Sequence, residues 1–337
     1  MTSRIPLTTW EKKVFAFLCS AAKHTTTSTP AVELRVVGGW VRDKLLGRNT
    51  NDIDIVVLHA SGPQYALRLR DYAKAQRTHG LSEHADVPHV SSVIQFTPSK
   101  TASKFVDTAK VQIDGNSVDF VEVRSVDPLD SRGLKNYETS LEYDAFSRDF
   151  TINSLYYNLH TSRLEDFTNR GLEDLSKMII GTPINPDATL RDDPLRAVRA
   201  VRFACELGFD LCQSLDKGLR DEKIHRLLGS EVSRERIGVE VVRCINSDPM
   251  KGLRLIQELG MAKAIFGYDE GFDNGVNRSE FALDIKSSVS SGDSVFPSSD
   301  QVLVFSSLIW DTQLVKLVLH EALRLSKKVA KRGRNIY

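Results

Sequence analysis

The 337-residue sequence has no long apolar run, no charge excess and no cysteine framework, and each absence removes a class of protein. No stretch approaches the roughly 20 consecutive apolar residues of a membrane-spanning helix, and the N-terminus lacks a secretory layout. A secreted or membrane-embedded protein is therefore not expected. The four cysteines, Cys19, Cys205, Cys212 and Cys244, show neither CxxC spacing nor the density of a disulfide scaffold. That usage fits reduced thiols in an intracellular compartment and disfavours a cysteine-bound metal. Cytoplasm, nucleus and mitochondrion all stay open. The first ten residues lack acid and carry Arg4, yet Trp10 to Leu18 has the spacing of an ordinary amphipathic helix rather than a presequence. Lys plus Arg number 45 against 44 Asp plus Glu, so only local charge can point to a polyanionic partner. There is no convincing internal repeat, and nothing in the motifs encodes an oligomeric state.

What is present suffices for two or more domains, with a 41% hydrophobic content able to build ordinary cores. Residues 1–33 read as a helix and a small-polar linker. From 34 to 159 strand-like and helix-like patterns alternate, an α+β head. Its expected strands are Leu34 to Val37, Ile53 to Leu58, Val90 to Phe96, Lys110 to Ile113 and Val118 to Val123. Its expected helices are Val41 to Leu46, Gly62 to Ala75 and a third from Phe150 onward. From about residue 187 the apolar spacing becomes three and four, as in "PLRAVRAVRFACELG", "RERIGVEVVRCI" and "KGLRLIQELG", so a helical neck over 160–250 and a helical body over 251–337 follow. The Ser-rich stretch 287–300 reads as an exposed loop. The last helix ends in Lys327, Lys328, Lys331, Arg332 and Arg334, a basic tip that suits solvent and the helix dipole as well as phosphate.

The most informative stretch is "VVGGWVRDKLLGRNTNDIDIVV", residues 36–57. Side chains alternate along a strand, so Asp52 and Asp54 share one face while Ile53 and Ile55 take the other. A polar strand face meeting water would explain the alternation alone. Gly38 and Gly39, lying between an apolar run and a helical pattern, add a tight turn whose backbone amides can hold phosphate oxygens. Phosphate-binding backbone beside paired carboxylates is what nucleotidyl transfer requires, because magnesium takes oxygen ligands and bridges carboxylates to a triphosphate.

A third acidic ligand is expected on a neighbouring strand, and "NSVDFVEVRS" offers Asp119 and Glu122 on opposite faces. "SRDFTINSLYY" puts Arg148, Asp149 and Asn153 at an expected helix start, where Asp149 serves as a cap or the three hold a ribose or triphosphate. In "LRDDPLRAVRAVRF" Asp before Pro is a good helix start, and Asp193 with Arg196 could be only a local ion pair. Yet Arg196, Arg199 and Arg202 recur every three residues, a basic band for which nucleotide contact is a natural use. A carboxylate beside a guanidinium also has a reading chemistry: it accepts from an exocyclic amine and donates to an unprotonated ring nitrogen. Cytosine and adenine match that pattern; guanine and uracil invert it.

These stretches, in order "GGWVRDKLLG" with "DID", "VDFVEVRS", "SRDFTINSLYYN", "EDFTNRGLEDL", "DDPLRAVRAVRFA" and "SRERIGVE", resemble the class II tRNA nucleotidyltransferases, the CCA-adding enzymes, and most closely their eukaryotic members. The likeness spans roughly residues 34–245. It implies a polymerase-β-like nucleotidyltransferase head followed by an all-helical neck and body. Asp52, Asp54 and Asp119 would hold Mg2+, with Glu122 as fallback for the third position. Gly38, Gly39 and Arg42 would serve the triphosphate. Arg148 and Asp149 would meet the ribose, Asp193 and Arg196 would template the base, Asp166 to Asp174 would be a flexible segment, and "SRERIGVE" would brace the neck. Implied partners are tRNA, CTP and ATP; no membrane is implied. The chain departs from the family where paired arginines become Ser147-Arg148 and an Arg before "TP" becomes Gly181, losses of positive charge near the expected phosphates. The resemblance also implies a helical tail that here is shortened, ending at Tyr337. A poly(A) polymerase, a CC- or A-adding enzyme, or an impaired tRNA-binding protein are the alternatives.

Overall fold

The structure, a computed structural model, describes residues 5–24, 31–78, 87–96, 107–123 and 140–267. The Ser-rich stretch, the basic C-terminal helix and the body beyond residue 267 lie outside the described residues. The chain divides into two compact units, Met1–Ser176 and Lys177–Tyr337.

The first unit contains α1 (Thr9–His24), β1 (Glu33–Val37), α2 (Gly39–Leu45), β2 (Ile53–Leu58), α3 (Gly62–Thr78), β3 (Val90–Phe96), β4 (Thr108–Ile113), β5 (Asn116–Glu122), α4 (Ser140–Ser147), β6 (Leu155–Asn158), β7 (Arg163–Asp166) and α5 (Gly171–Ser176). Its strands form one seven-stranded sheet in the order β3-β4-β5-β2-β1-β6-β7. Only β2 and β5 pair in parallel, with α3 in the connection between them. A parallel pair needs such a crossover, and its strands become apolar on both sides. "IDIVVL" in β2 meets that demand everywhere except Asp54.

Each sheet face has its own cover. Ile55 and Phe120 are register partners, and Tyr65 of α3 stacks 5.2 Å from the Phe120 ring while its hydroxyl donates to the Leu18 carbonyl of α1 at 2.8 Å. On the opposite face Val37, Val56, Leu58 and Tyr156 pack with Leu141 and Ala145 of α4. Burying each large apolar side chain contributes about 1.5–3 kcal/mol. The N-terminal helix is tied in by charge as well: buried Glu11 accepts from Lys44 Nζ at 2.8 Å and from the Trp40 indole at 2.9 Å, both on α2.

The helix expected from Phe150 onward is not formed. A short 3₁₀ turn, Thr151–Asn153, is followed by the β6–β7 hairpin. The reason is tertiary: all four residues of "LYYN" are buried, and β6 pairs with the outer edge of β1. Helix α4 instead precedes the motif, so Arg148 and Asp149 follow a helix end. The first unit continues to Ser176, beyond the head limit expected at residue 159.

The second unit contains β8 (Ile179–Ile180), α6 (Pro186–Asp192), α7 (Leu195–Leu207), β9 (Asp210–Leu211), α8 (Gln213–Leu219), α9 (Glu222–Glu231), α10 (Arg234–Ser247), α11 (Pro249–Glu258) and α12 (Ala262–Phe266). The two-residue parallel pair β8–β9 is a departure from the all-helical expectation. Side chains of Asn185, Asp221, Ser233 and Asp248 cap α6, α9, α10 and α11 by accepting backbone N–H bonds. Helix α7 is the hub: 11 of its 13 residues are buried, and it ends at Gly208 with φ 73°, the left-handed stop that glycine adopts without strain.

Gly62 sets how closely α3 approaches the sheet. A Cβ there would come within 2.8 Å of the Phe120 carbonyl carbon and closer still to its oxygen, backbone that cannot swing aside. Gly62→Ala is expected to cost about 1–3 kcal/mol, read as a lower urea midpoint at unchanged slope.

Candidate active site

One row across the sheet defines the site. Register pairs link Tyr156 to Val37, Val37 to Asp54, Asp54 to Asp119 and Asp119 to Lys110, so these five side chains share one face on five neighbouring strands. Asp52 lies just before β2 and two residues from Asp54, on the same side by alternation. Glu122 is paired with Val57, which points to the other face. The backbone thus groups Asp119, not Glu122, with Asp54.

The electrostatics reflect crowding of like charge. Burial, then the negative Asp52, push the Asp54 carboxyl up to about 6, while Arg148 pulls in the opposite direction. Burial also raises Asp119, against the pull of Lys110, whose Nζ is 3.3 Å from Asp119 Oδ2. Asp119 Oδ1 is buried and accepts no hydrogen bond. An orphaned carboxylate oxygen on the register partner of a second desolvated carboxylate is a donor set that suits a hard divalent cation. Among the described residues, no group of three His, Cys, Asp or Glu side chains converges into a finished metal cluster; Lys110 supplies the neighbouring positive charge to Asp119 instead. Lys110 was not singled out in the sequence, because only the β4–β5 register brings it to the row.

Beside this row, Gly38 turns the chain from β1 into α2 with φ 75° and ψ −131°, a backbone that favours glycine. Arg42 is buried, and its Nη1 donates to Asn153 Oδ1 at 2.6 Å. Asn153 Nδ2 in turn donates to Asp149 Oδ1 at 3.0 Å, an oxygen that also accepts the Phe150 backbone N–H at 2.8 Å. Asp149 therefore braces a loop and does not cap a helix. Arg148 is held by Asp144, with Nη2 2.8 Å from Oδ2. Burial is the largest single influence and opposes its charge, but Asp144 and Tyr156 together outweigh it and raise the guanidinium's pKa. An added Cβ on Gly38 would lie 3.6 Å from Arg148 Nη1, and one on Gly39 would lie 3.6 Å from Arg42 Nη2. Gly38, Gly39, Arg42, Arg148, Asp149 and Asn153 thus form one neighbourhood. Ser147 is fully buried and donates to the Tyr143 carbonyl at 2.6 Å, so its side chain faces the interior, not a phosphate site as expected from the lost arginine.

In the second unit the arginines separate. Asp193 accepts from the Leu195 N–H at 3.3 Å and from Arg236 Nη2 of α10 at 3.1 Å. Arg196 is buried; it donates to the Thr189 hydroxyl and stands 3.9 Å from Asp192. Asp193 and Arg196 are each anchored by other residues, and Arg236, within "SRERIGVE", is a contributor that the sequence reading left out. Arg199 lies 3.5 Å from Glu240. Arg202 is only 2% exposed, 3.0 Å from Glu240 and 4.1 Å above the Phe203 ring. Burial lowers its pKa to about 10 despite Glu240. The basic band expected to face nucleotide therefore winds into the interior: steps of three residues rotate each arginine around α7, and Glu240 is the partner it meets.

This arrangement defines an α+β protein with a polymerase-β-like nucleotidyltransferase head, followed by a mainly helical unit. Residues 34–181 match the poly A polymerase head domain. The chain is 42% identical over 238 residues to tRNA nucleotidyltransferase cca1 of Schizosaccharomyces pombe, covering 70% of this chain and 46% of that protein. It is 36% identical over 275 residues to a mitochondrial CCA tRNA nucleotidyltransferase of Candida glabrata, covering 79% and 50%. The Thermotoga maritima CCA-adding enzyme complexed with tRNA shares the fold, with a TM-score of 0.68 at 21% identity over 98% of this chain and 70% of that one. The chain is thus similar to tRNA nucleotidyltransferases, and it spans about half the length of the curated relatives it matches. Among the described residues no helix is long and apolar enough to cross a membrane.

Two outcomes follow from the charges. Because the folded state raises the Asp54 pKa, its protonated form is favoured by folding, and that contribution is lost as pH rises through about 6. Without divalent cation, Asp54→Asn is expected to be more stable than the parent above about pH 6, by up to about 3 kcal/mol, the advantage vanishing below about pH 4. Urea unfolding across that range measures it. Arg202→Gln removes the nearer and more deeply buried of the two cations that meet buried Glu240 and is expected to cost about 3 kcal/mol in the same assay. A nucleotide-contact role would leave the urea midpoint unchanged.

Proposed function

We propose that this chain adds CCA to the 3′ end of tRNA from CTP and ATP, with the order of addition set by protein side chains rather than a nucleic-acid template. The observation that carries the reading is the in-register pairing of Asp54 with Asp119 on adjacent strands, with Asp52 beside them and an orphaned buried oxygen on Asp119. In this reading Asp52, Asp54 and Asp119 hold Mg2+. Magnesium, when bound, supplies the positive charge that makes a 3′-hydroxyl nucleophilic and neutralises departing pyrophosphate.

The remaining residues bind and orient. Gly38 and Gly39 let backbone come close to the triphosphate, and the buried Arg42–Asn153–Asp149 chain fixes the Asp149 carboxylate for the ribose hydroxyls. Arg148 adds a guanidinium whose charge is locked on by Asp144. Asp193 accepts from the exocyclic amine of C or A and Arg196 donates to the adjacent ring nitrogen; Arg236 and Thr189 hold these two side chains in place. The division into head 34–159, template-bearing neck 160–250 and body 251–337 belongs to the same proposal, as do tRNA as acceptor and an intracellular site of action in cytoplasm, nucleus and/or mitochondrion.

The test is a product ladder: the full chain, magnesium and a tRNA transcript lacking its 3′ end, supplied with CTP, ATP, both or neither. Extension by three residues with both nucleotides is expected, and Asp54→Ala is expected to reduce it by at least roughly a thousandfold, the scale on which transition-state charge stabilisation operates. A long A-tail would point to poly(A) synthesis, a stop after CC to partial addition, and tRNA binding without extension to a binding-only protein. Substantial extension by Asp54→Ala would overturn the metal-ligand assignment.

A further inference from the structure

Two buried groups, Asp144 and Tyr156, converge on Arg148. Asp144 Oδ2 accepts from Arg148 Nε at 3.1 Å and Nη2 at 2.8 Å, and it also accepts the Tyr156 hydroxyl at 2.5 Å. Arg148 Nε reaches the Tyr156 oxygen as well, at 3.2 Å, and the guanidinium stacks 5.4 Å over the Tyr156 ring. Three donors, two from Arg148 just after α4 and one from Tyr156 of β6, meet on one carboxylate oxygen of α4. The Asp144 side chain is 5% exposed and Tyr156 is fully buried. A buried ion pair of this kind is rarely the most stable filling for a core, since apolar side chains of the same volume usually do as well. What it supplies is orientation.

A guanidinium is planar and presents its donors in fixed directions. With the Nε–Nη2 edge engaged by Asp144, Nη1 is directed to the opposite side, where a Cβ on Gly38 would lie 3.6 Å away. Tyr156 stands in the same sheet row as Asp54, two strands distant, so the clamp and the carboxylates share one face. Gly38 lacks the side chain that would fill the space between the Nη1 end and the turn. We propose that Asp144 and Tyr156 form a buried clamp that fixes Arg148 beside the Gly38 turn, so that Nη1 meets the triphosphate oxygens of the incoming nucleotide. They are positioning residues, acting through Arg148. The inference rests on the nucleotidyl-transfer reading and adds to it a phosphate role for Arg148, in place of the ribose role that the resemblance implied.

Tyr156→Phe keeps the ring, its stacking and its burial and deletes one hydroxyl. Isothermal titration of the full chain with CTP, ATP and 2′-deoxy-CTP in magnesium, alongside transfer kinetics, tests the clamp. Tyr156→Phe is expected to raise Kd and KM roughly three- to tenfold for all three nucleotides, with kcat and the melting temperature little changed. Asp144→Asn, which keeps an acceptor but loses the charge, is expected to exceed tenfold; should it not fold, Tyr156→Phe alone carries the test. Parent-like nucleotide Kd values in a folded Tyr156→Phe would overturn the clamp, whatever happened to the melting temperature. A loss confined to CTP, sparing its 2′-deoxy analogue, would overturn the phosphate assignment. If the parent chain itself bound neither CTP nor ATP, the nucleotidyl-transfer reading would fall and the clamp with it, whereas parent binding with unaffected variants removes the clamp alone.

Discussion

Parallel pairing of β2 with β5 sets two carboxylates side by side on one face of a sheet, and the surrounding structure is organised around their repulsion. Neither aspartate can move away, because each lies on a strand whose other face is locked into the apolar layer under α3. Relief comes from flanking cations instead: Lys110 from the strand beyond Asp119, and Arg148 from the loop on the β1 side. Those cations have carboxylate partners or near neighbours of their own, so Arg148, between Asp144 and Asp54, and Lys110, beside Asp119, bracket the aspartate pair with positive charge. An arrangement of this kind stores binding potential for a divalent cation that a neutral polar face would lack.

The second unit uses charge differently. Along α7 Arg196 and Arg202 are buried and Arg199 is partly exposed, and Glu240 of α10 is the acid that meets both Arg199 and Arg202. Arg236, one turn earlier on α10, reaches Asp193 at the junction of α6 and α7. The same helix therefore grips α7 near both ends, once through a buried pair and once through an exposed one. Exposed pairs contribute little to stability. The contact at Asp193 is better understood as setting a direction for a side chain than as holding helices together.

Periodicity and turn chemistry disclosed much of this. Strands β2 and β5 and helices α3, α7, α10 and α11 lie close to where alternation or a spacing of three and four places them, and the strand period with the family's motif order pointed to the sheet face that Asp54 and Asp119 share. The hairpin β6–β7 was hidden because "LYYN" follows residues with good helix-start character, and its preference for strand comes from an edge of β1 that lies more than a hundred residues earlier. Lys110 and Arg236 were hidden for the same kind of reason: their roles exist only through register or helix packing. Arg202 misled because a band drawn on a helical wheel says nothing of which side becomes interior. Ser147 misled likewise, since a lost charge matters at a phosphate only if the position faces one.

The tie between Glu11 and α2 bears on where this chain can be cut. Lys44 and Trp40 both rely on Glu11, and Lys44 is only 7% exposed. Removing residues through position 11, whether by a processing protease or by trimming a recombinant N-terminus, would leave an ammonium sealed in the interior two residues from Arg42. The helix that follows the glycine turn would lose its anchor, and the damage would be felt far from the break. The N-terminal helix is in that sense part of what holds the glycine turn in place, and a boundary for proteolysis or protein engineering belongs ahead of Thr8, whose hydroxyl and backbone N–H close the capping box with Glu11.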